Sequence, residues 1–344
     1  MAPARLAALG LLICLAPAVS RAESAFLANL RKAQSRTVPD ERIEYYGRAI
    51  ASWKASDSMA LLGDCRFRRG EALAERYDFA EALPDLSAAL SLDDGNARAR
   101  FLRGRALMHL DRAQQAAADF KAYTALRGED SEGWLALGEA EGKAGRPNDA
   151  QKTYRRAEQL APTDFRPALG RARLLAEKSR CKEALTLLDR ADAIAGGRSP
   201  EVLAERADCL FELGGSTPEQ GLALPVEDYG KAISLYEARL LDLRRSQAPA
   251  GRLLEEQGKA APAFFGRGRL YELLQKLPEA ASDYAQACEL GHQQACDKAK
   301  SLSGRPAPPS RKAPEAAKPP KPEPKPKKRS FEFKGEPGDR IYAN

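Results

Sequence analysis

The amino-acid sequence predicts an all-α chain built from stacked antiparallel helix hairpins. Residues 131–164 contain two amphipathic segments that meet at a Gly-Arg-Pro-Asn break, and their apolar residues recur with the helical period. Small residues recur along the chain every 34 residues. After residue 302 the composition changes to Pro, Ala and Lys, which cannot form a folded core. We therefore expect a helical body followed by a disordered C-terminal tail.

The best-defined hairpin lies in residues 131–164. Gly138 in its first segment and Ala150 in its second are small enough to let two antiparallel helices approach closely. Trp134 and Tyr154 are placed to fill the space beside that contact. Pro162 closes the unit because proline cannot continue a helix.

Equivalent positions of this hairpin recur at a constant spacing. The glycine of the first helix and the alanine of the second each form a series: Gly70, Gly104 and Gly138, then Ala82, Ala116, Ala150 and Ala184. This pattern resembles the tetratricopeptide repeat, and the residues that carry the resemblance are Trp134, Leu137, Gly138, Ala150, Tyr154, Ala157 and Pro162. The resemblance implies a right-handed α-solenoid that acts as a protein-binding scaffold.

The 34-residue period also predicts the organisation of the chain. We expect a signal peptide at 1–22, a repeat domain at 23–302 and a tail at 303–344 that ends in a short motif at 330–344. Within the repeat domain, the clear repeats are 63–96, 97–130, 131–164, 165–198 and 261–294. The degenerate units are 23–62 and 199–260. An insertion leaves the register of 199–260 ambiguous, and the last repeat is also similar to Sel1-like repeats. Tyr123 stands where alanine is expected, which predicts either local re-packing or an outward shift of the next helix.

The N-terminus predicts export. Arg5 precedes a short apolar run, and small residues surround Ala22, as in a secretory signal peptide. The run is too short to cross a bilayer comfortably. A lipoprotein anchored through Cys14 is disfavoured because the bulky Ile13 stands directly before the cysteine. We expect a periplasmic or cell-envelope protein of a bacterium.

The positive charge of the chain is concentrated in the tail. Of a formal net charge of +7, residues 303–344 contribute eleven Lys and Arg against five Asp and Glu, so the body is nearly neutral. This argues against a nucleic-acid-binding fold. The stretch from Lys318 to Arg329 can instead contact an anionic cell-wall polymer or lipid. The motif at 330–344 either adds a strand to a partner's sheet or is a frayed terminus.

Five cysteines remain once the signal peptide is removed, and an exported protein can oxidise them. Cys288 and Cys296 flank a short turn, which predicts a disulfide between them. Cys181 and Cys209 lie at adjacent helix ends, where they either form a second bridge or pack as two buried thiols. Cys65 is left over.

No pattern in the sequence predicts catalysis. His109 and His292 are the only histidines, and neither lies at metal-ligand spacing from cysteines or carboxylates. The C-x-x-C, G-x-S-x-G, phosphate-loop and G-x-G-x-x-G motifs are missing from the sequence. We expect no enzyme activity, no metal and no cofactor.

The resemblance implies a binding groove on the concave surface, lined by outward positions of the first helices. The candidate groove residues are Phe67, Arg68, Phe101, Arg105, Leu135, Glu139, Arg173 and Arg269. The alternative for the apolar members is that they pack between neighbouring helices, which explains most periodic apolar residues. The arginines can hold an extended peptide with acidic groups through bidentate pairing. The leading interpretation is an exported, non-enzymatic scaffold for protein–protein interactions, and the alternative is a cell-wall or membrane tether that uses the basic tail.

Overall fold

The computed structural model describes residues 24–214 and 221–303, which form fifteen α-helices and no strand. The helices are α1 (Ala25–Gln34), α2 (Pro39–Ser52), α3 (Met59–Glu75), α4 (Phe79–Leu92), α5 (Ala97–His109), α6 (Ala113–Leu126), α7 (Ser131–Lys143), α8 (Pro147–Leu160), α9 (Arg166–Ala176), α10 (Cys181–Ala195), α11 (Pro200–Leu213), α12 (Ala223–Arg245), α13 (Ala250–Leu273), α14 (Leu277–Glu289) and α15 (Gln293–Ser303). The predicted all-α solenoid of hairpins is confirmed. The predicted signal peptide, Cys14 and the tail beyond residue 303 lie outside the described residues.

Helices pair in chain order, so α1 with α2 through α13 with α14 form seven hairpins and α15 covers the last one. The turns inside four successive hairpins share one backbone conformation, with a positive φ at Tyr77, Asp111, Gly145 and Ser179. In each turn the next residue donates its N–H to a carbonyl five residues back, as Arg146 does to Glu141 at 2.9 Å. This bonding satisfies the end of the first helix and turns the chain back on itself.

The first helix of each hairpin lies on the concave side of the stack. Successive first helices contact one another, from α3 with α5 through to α11 with α13. Among the described residues the second helices make no comparable contacts with each other. The row of first helices is therefore the shorter side, and the surface it exposes is the inner face.

Glycines allow the aromatic residue of the second helix to fill the core. A Cβ added at Gly138 would lie 2.7 Å from Cδ1 of Tyr154, and one added at Gly170 would lie 2.5 Å from Cζ of the same ring. Tyr154 therefore packs between the first helix of its own hairpin and the first helix of the next, and it is 4% exposed. This is the close approach that the sequence pattern predicted at Gly138.

Tyr123 is accommodated by local re-packing. Its ring occupies the space beside Gly133, where an added Cβ would lie 2.5 Å from Cε1 of Tyr123. The ring also packs 5.0 Å from the ring of Phe101, and its hydroxyl donates to Asp130. Trp134 closes the same joint by donating its indole N–H to the carbonyl of Gly128 at 2.7 Å.

In each of four hairpins, an Arg–Asp ion pair joins the two helices. The pairs are Arg69 with Asp85, Arg103 with Asp119, Arg206 with Asp228 and Arg267 with Asp283. In each pair the Nε and Nη2 atoms of the arginine contact both oxygens of a buried aspartate, at 2.5 to 2.8 Å. Such bidentate geometry fixes how two helices face each other. Arg206 and Asp228 are 22 residues apart, whereas the partners of the other pairs are 16 apart.

The pair of Arg206 with Asp228 sets the register of residues 199–260. Tyr229 follows Asp228 and takes the same place as Tyr154, since a Cβ added at Gly266 would lie 2.4 Å from its ring. The irregular unit is thus a hairpin of α11 and α12 with a lengthened turn. The unit also departs from the regular repeats in helix length, because α12 has 23 residues and α13 has 24. These two helices pack against each other as a long antiparallel pair, which we call the α12–α13 hairpin.

Two further findings concern chemistry and membranes. No described helix is both long enough and apolar enough to span a bilayer. Within residues 24–214 and 221–303, no three His, Cys, Asp or Glu side chains are grouped as a metal site would require.

Candidate functional site

The inner face presents charged residues from successive first helices. The candidate groove residues Arg105 on α5, Glu139 on α7, Arg173 on α9 and Arg269 on α13 are all exposed. The row carries groups of both signs along the stack. Such a surface can bind a ligand through hydrogen bonds and ion pairs at several points.

The apolar residues assigned to the groove need correction. Phe67, Phe101 and Leu135 are 6%, 8% and 3% exposed and belong to the packed core. Each fills the space between neighbouring helices, where burial of its apolar surface stabilises the stack. They do not line a groove open to solvent.

The charged groups of the inner face differ in their partners. Nε of Arg173 lies 2.5 Å from Oε1 of Glu205 on α11. The guanidinium of Arg269 lies over the ring of Phe211, 4.7 Å from its centre, in a cation–π contact. Arg68 pairs with Glu71 at 3.3 Å and therefore belongs to a local ion-pair cluster on α3.

Two carboxylates on this face are perturbed by their surroundings. Burial between the first helices raises the pKa of Glu139, and the nearby Glu132 raises it further, against the attraction of Arg166 and Arg173. Burial also raises the pKa of Asp208 to about 6, although the hydroxyl of Tyr229 donates a hydrogen bond to its carboxylate. Both side chains retain solvent contact, so water reaches the floor of the concave surface.

The far end of the α12–α13 hairpin packs against the first full repeat. A Cβ added at Gly251 would lie 2.6 Å from Cβ of Tyr77, the turn residue between α3 and α4. Glu255, one helical turn further on, pairs with Lys259 at 2.7 Å. Burial would raise the pKa of Glu255, but Lys259, the charge of His109 and a hydrogen bond from Tyr77 lower it.

A pocket opens at this contact. It has a volume of about 320 Å³. Its lining residues are Glu71, Ala74, Glu75 and Tyr77 from the first full repeat, Arg98, Leu102 and Arg105 from α5, and Arg252 from the first turn of α13. Arg105 of the inner face lines this pocket, whereas Arg173 and Arg269 lie outside it.

The cysteines take two arrangements. Cys288 and Cys296 face each other across the turn between α14 and α15, with their Cα atoms 4.7 Å apart and their Sγ atoms at bonding distance, which is the geometry that the predicted disulfide requires. The possible Cys181–Cys209 bridge is not formed, because both are free buried thiols and Sγ of Cys181 contacts Oε2 of Glu212 at 3.0 Å. Burial raises the pKa of Cys65 to about 12, which makes it unreactive.

Sequence reasoning did not identify Asp208, Arg252 or Glu255 as parts of the inner face. Asp208 lies in the unit whose register was ambiguous. Arg252 and Glu255 belong to the lengthened start of α13, which has no counterpart in the 34-residue period. The buried ion pairs could have been predicted from the sequence, because Arg69 and Arg103 are separated by the repeat period and so are Asp85 and Asp119.

The family match covers the best-defined part of this architecture. Residues 67–131 and 135–199 match the family model described as tetratricopeptide repeat. These two segments therefore consist of tetratricopeptide repeats, as the resemblance in the sequence predicted. Repeats of this family are protein-interaction modules and typically act as non-enzymatic scaffolds.

Solved structures agree on the fold. The chain resembles a tetratricopeptide repeat protein from Parabacteroides merdae, at 16% identity over 81% of this chain and 98% of that one, with a TM-score of 0.58. Weaker similarities include MamA from Desulfovibrio magneticus, at 17% identity over 51% of this chain and 97% of that one, with a TM-score of 0.45. YrrB, described as having an unusual peptide-binding site, is 18% identical over 60% of this chain and 99% of that one, with a TM-score of 0.41. No curated protein sequence matches the chain.

Proposed function

We propose that this protein is an exported, non-enzymatic scaffold of the bacterial cell envelope that binds an extended segment of a partner protein on its inner face. The observation that carries the proposal is the row of exposed charged groups on the first helices, which includes Arg173 on α9 and Arg269 on α13. An extended segment can follow such a row, because a stack of helices presents equivalent side chains at regular intervals. The arginines favour acidic groups on that segment.

The binding face is tested with synthetic peptides of equal length and increasing Asp and Glu content. Affinity should rise with acidic content. The double variant Arg173→Glu with Arg269→Glu should weaken binding of the acidic peptides by about tenfold or more, because charge reversal turns attraction into repulsion. Arg180→Glu is the control: Arg180 is exposed in the turn before α10 and pairs only locally with Glu183, at 2.6 Å. Equal affinities for the double variant and the natural chain would refute this face as the binding surface.

Export rests on the predicted signal peptide at 1–22. Fractionation of cells that express the chain with and without these residues tests it. The full chain should be recovered from the envelope fraction in a shortened form, and the truncated chain should stay in the cytoplasm. Recovery of an unprocessed full chain from the cytoplasm contradicts the proposal.

The basic tail supports a second candidate function, a tether to an anionic cell-wall polymer or lipid. The supporting observation is the excess of Lys and Arg in residues 303–344. Such a contact is electrostatic and should weaken steeply as salt is raised. Deletion of 303–344 separates the two functions, since a tether loses its place in the envelope while a scaffold keeps its peptide affinity.

A further inference from the structure

The pocket between the first repeats and the α12–α13 hairpin holds an excess of positive charge that the described residues do not neutralise. Arg98, Arg105 and Arg252 all line it. Arg98 contacts Glu71 at 3.5 Å. Arg105 and Arg252 have no carboxylate oxygen within ion-pair distance among the described residues, although both are close enough to lower the pKa of Tyr77, which burial and Glu255 raise.

The two glutamates of the pocket are already engaged. Glu75 lies 2.9 Å from Nη1 of Arg42 on α2. Glu71 lies 3.3 Å from Arg68 and 3.9 Å from Arg42, in addition to its contact with Arg98. These carboxylates are therefore balanced by arginines around the pocket, and the guanidinium groups of Arg105 and Arg252 are left for a ligand.

The three arginines come from elements that are far apart in the chain. Arg98 and Arg105 are two helical turns apart on α5, so they face the same side. Arg252 is brought into the same pocket by the packing of Gly251 against Tyr77. Like charges held close together in a partly enclosed site repel each other, and an oxyanion between them replaces this repulsion with charge-assisted hydrogen bonds.

We propose that this pocket binds a carboxylate group of the partner segment, with Arg105 of α5 and Arg252 of α13 as its main ligands and Arg98 as a further contact. The proposal rests on the proposed function and adds an anchor point to it. A volume of about 320 Å³ accommodates an acidic side chain together with part of its backbone. The carboxylate then connects the first repeats with the hairpin that packs against them, so binding at this point also strengthens the contact at Tyr77.

The test compares two labelled peptides that differ only in a Glu-Glu or a Gln-Gln pair, using the full chain. The natural protein should bind the Glu-Glu peptide more tightly. Arg252→Gln should reduce that affinity about tenfold, since it removes one charge-assisted contact, and it should leave the Gln-Gln peptide unaffected. Arg105→Gln, on a different helix, should act in the same way.

Arg245→Gln is the matched control. Arg245 ends the other helix of the same hairpin, is largely exposed, and does not line the pocket. It should bind both peptides as the natural chain does. Thermal unfolding of all three variants checks that each is folded, and none of the substitutions breaks a close ion pair.

The outcomes separate this proposal from the proposed function. If the Glu-Glu peptide binds the natural chain and Arg252→Gln equally, the pocket assignment is overturned while peptide binding stands. If neither peptide binds the natural chain, binding of pyrophosphate to the natural chain and to Arg252→Gln is measured instead. Calorimetric binding of pyrophosphate that is lost in Arg252→Gln supports an oxyanion pocket without the peptide function, and no binding overturns the pocket as well.

Discussion

At the scale of single residues, the ring of Tyr154 determines how closely three helix backbones approach. It packs against Gly138 in its own hairpin and Gly170 in the next, and neither position has room for a Cβ. The sequence indicated the contact with Gly138, because both residues recur with the period. The contact with Gly170 was not predicted, since it depends on how one hairpin is rotated against the next.

Gly138→Ala tests this packing. Alanine normally stabilises a helix interior by about 0.5 to 1 kcal/mol relative to glycine. Here the added methyl group would lie 2.7 Å from Tyr154, so we expect a loss of about 1 to 3 kcal/mol in the free energy of unfolding, measured by chemical denaturation. Gly258→Ala is the control, because a Cβ at Gly258 meets nothing within 4 Å and should be stabilising. A stabilised Gly138→Ala variant would show that the stack tolerates the methyl group.

Asp208 should make stability depend on pH. Its carboxyl has a pKa of about 6 in the folded protein, chiefly because of burial and also because of Glu205 and Glu212, against an ordinary value of about 4 in the unfolded chain. The folded state therefore binds this proton more tightly. The stabilising contribution is complete below about pH 4 and is lost as pH rises to about 6.

Asp208→Asn removes this titration. The variant cannot ionise, so its stability relative to the natural chain should increase between pH 4 and pH 7. Denaturation midpoints of both proteins across this range measure the difference. A difference that stays constant with pH would mean that the carboxyl titrates normally in the fold.

At the scale of elements, the buried Arg–Asp pairs hold the two helices of a hairpin in register. Arg103 and Asp119 are 16 residues apart, and the pairs of Arg69 with Asp85 and of Arg267 with Asp283 have the same spacing. The pair of Arg206 with Asp228 keeps the same atomic contacts across a longer turn. The pair, rather than the number of residues in the turn, thus identifies equivalent positions.

Asp119→Asn should destabilise its hairpin. The change leaves Arg103 facing a neutral group in a site where the aspartate is 4% exposed. We expect a loss of about 2 to 3 kcal/mol, because Arg103 keeps some solvent contact. Asp149→Asn on the exposed surface of α8 is the control and should change the free energy of unfolding by less than about 0.5 kcal/mol. Equal effects of the two variants would argue against a structural role for the pair.

The disulfide between Cys288 and Cys296 stays a prediction for the exported protein. Closing so short a loop should stabilise by about 2 to 3 kcal/mol, mainly by keeping α15 against the last hairpin, where Ala295 and Ala299 are buried. Thiol labelling of unfolded, unreduced protein should leave both cysteines unmodified. Labelling of both cysteines would show that the disulfide is absent, and α15 would then be expected to detach readily from the last hairpin.

A helix can be placed from the sequence when its packing partners recur at a fixed spacing along the chain. The helices containing Trp134 and Tyr154 could be placed from the sequence, because their packing partners recur at a fixed spacing. For the candidate groove residues Phe67, Phe101 and Leu135 the sequence left two interpretations open, since a periodic apolar residue has the same pattern whether it faces solvent or a neighbouring helix. Only three-dimensional packing distinguishes the two.

At the scale of the whole molecule, stability is distributed along the stack, and one long-range contact is added to it. Most contacts join neighbouring helices, which is the arrangement of a quasi-one-dimensional repeat protein. A contact that departs from this arrangement joins Gly251 of α13 to Tyr77 of the first full repeat. No feature of the sequence period predicts this contact, because it depends on the accumulated curvature of the hairpins between them.

Gly138→Leu should therefore unfold the array locally. The larger side chain cannot fit beside Tyr154. Hydrogen exchange should show loss of protection in α7, α8 and their neighbours, while α1, α2, α14 and α15 stay protected. A uniform loss of protection across all helices would show instead that the chain unfolds as one cooperative unit.

The position of Trp134 provides an intrinsic optical probe. The protein has two tryptophans: Trp134 at the joint beside Tyr123, and Trp53, which packs in the first hairpin. Trp53→Phe leaves an emission signal that originates from the third full repeat alone, and Trp134→Phe leaves one from the N-terminal end. Unlabelled protein can therefore report separately, in a stopped-flow fluorimeter, on how two distant parts of one solenoid open.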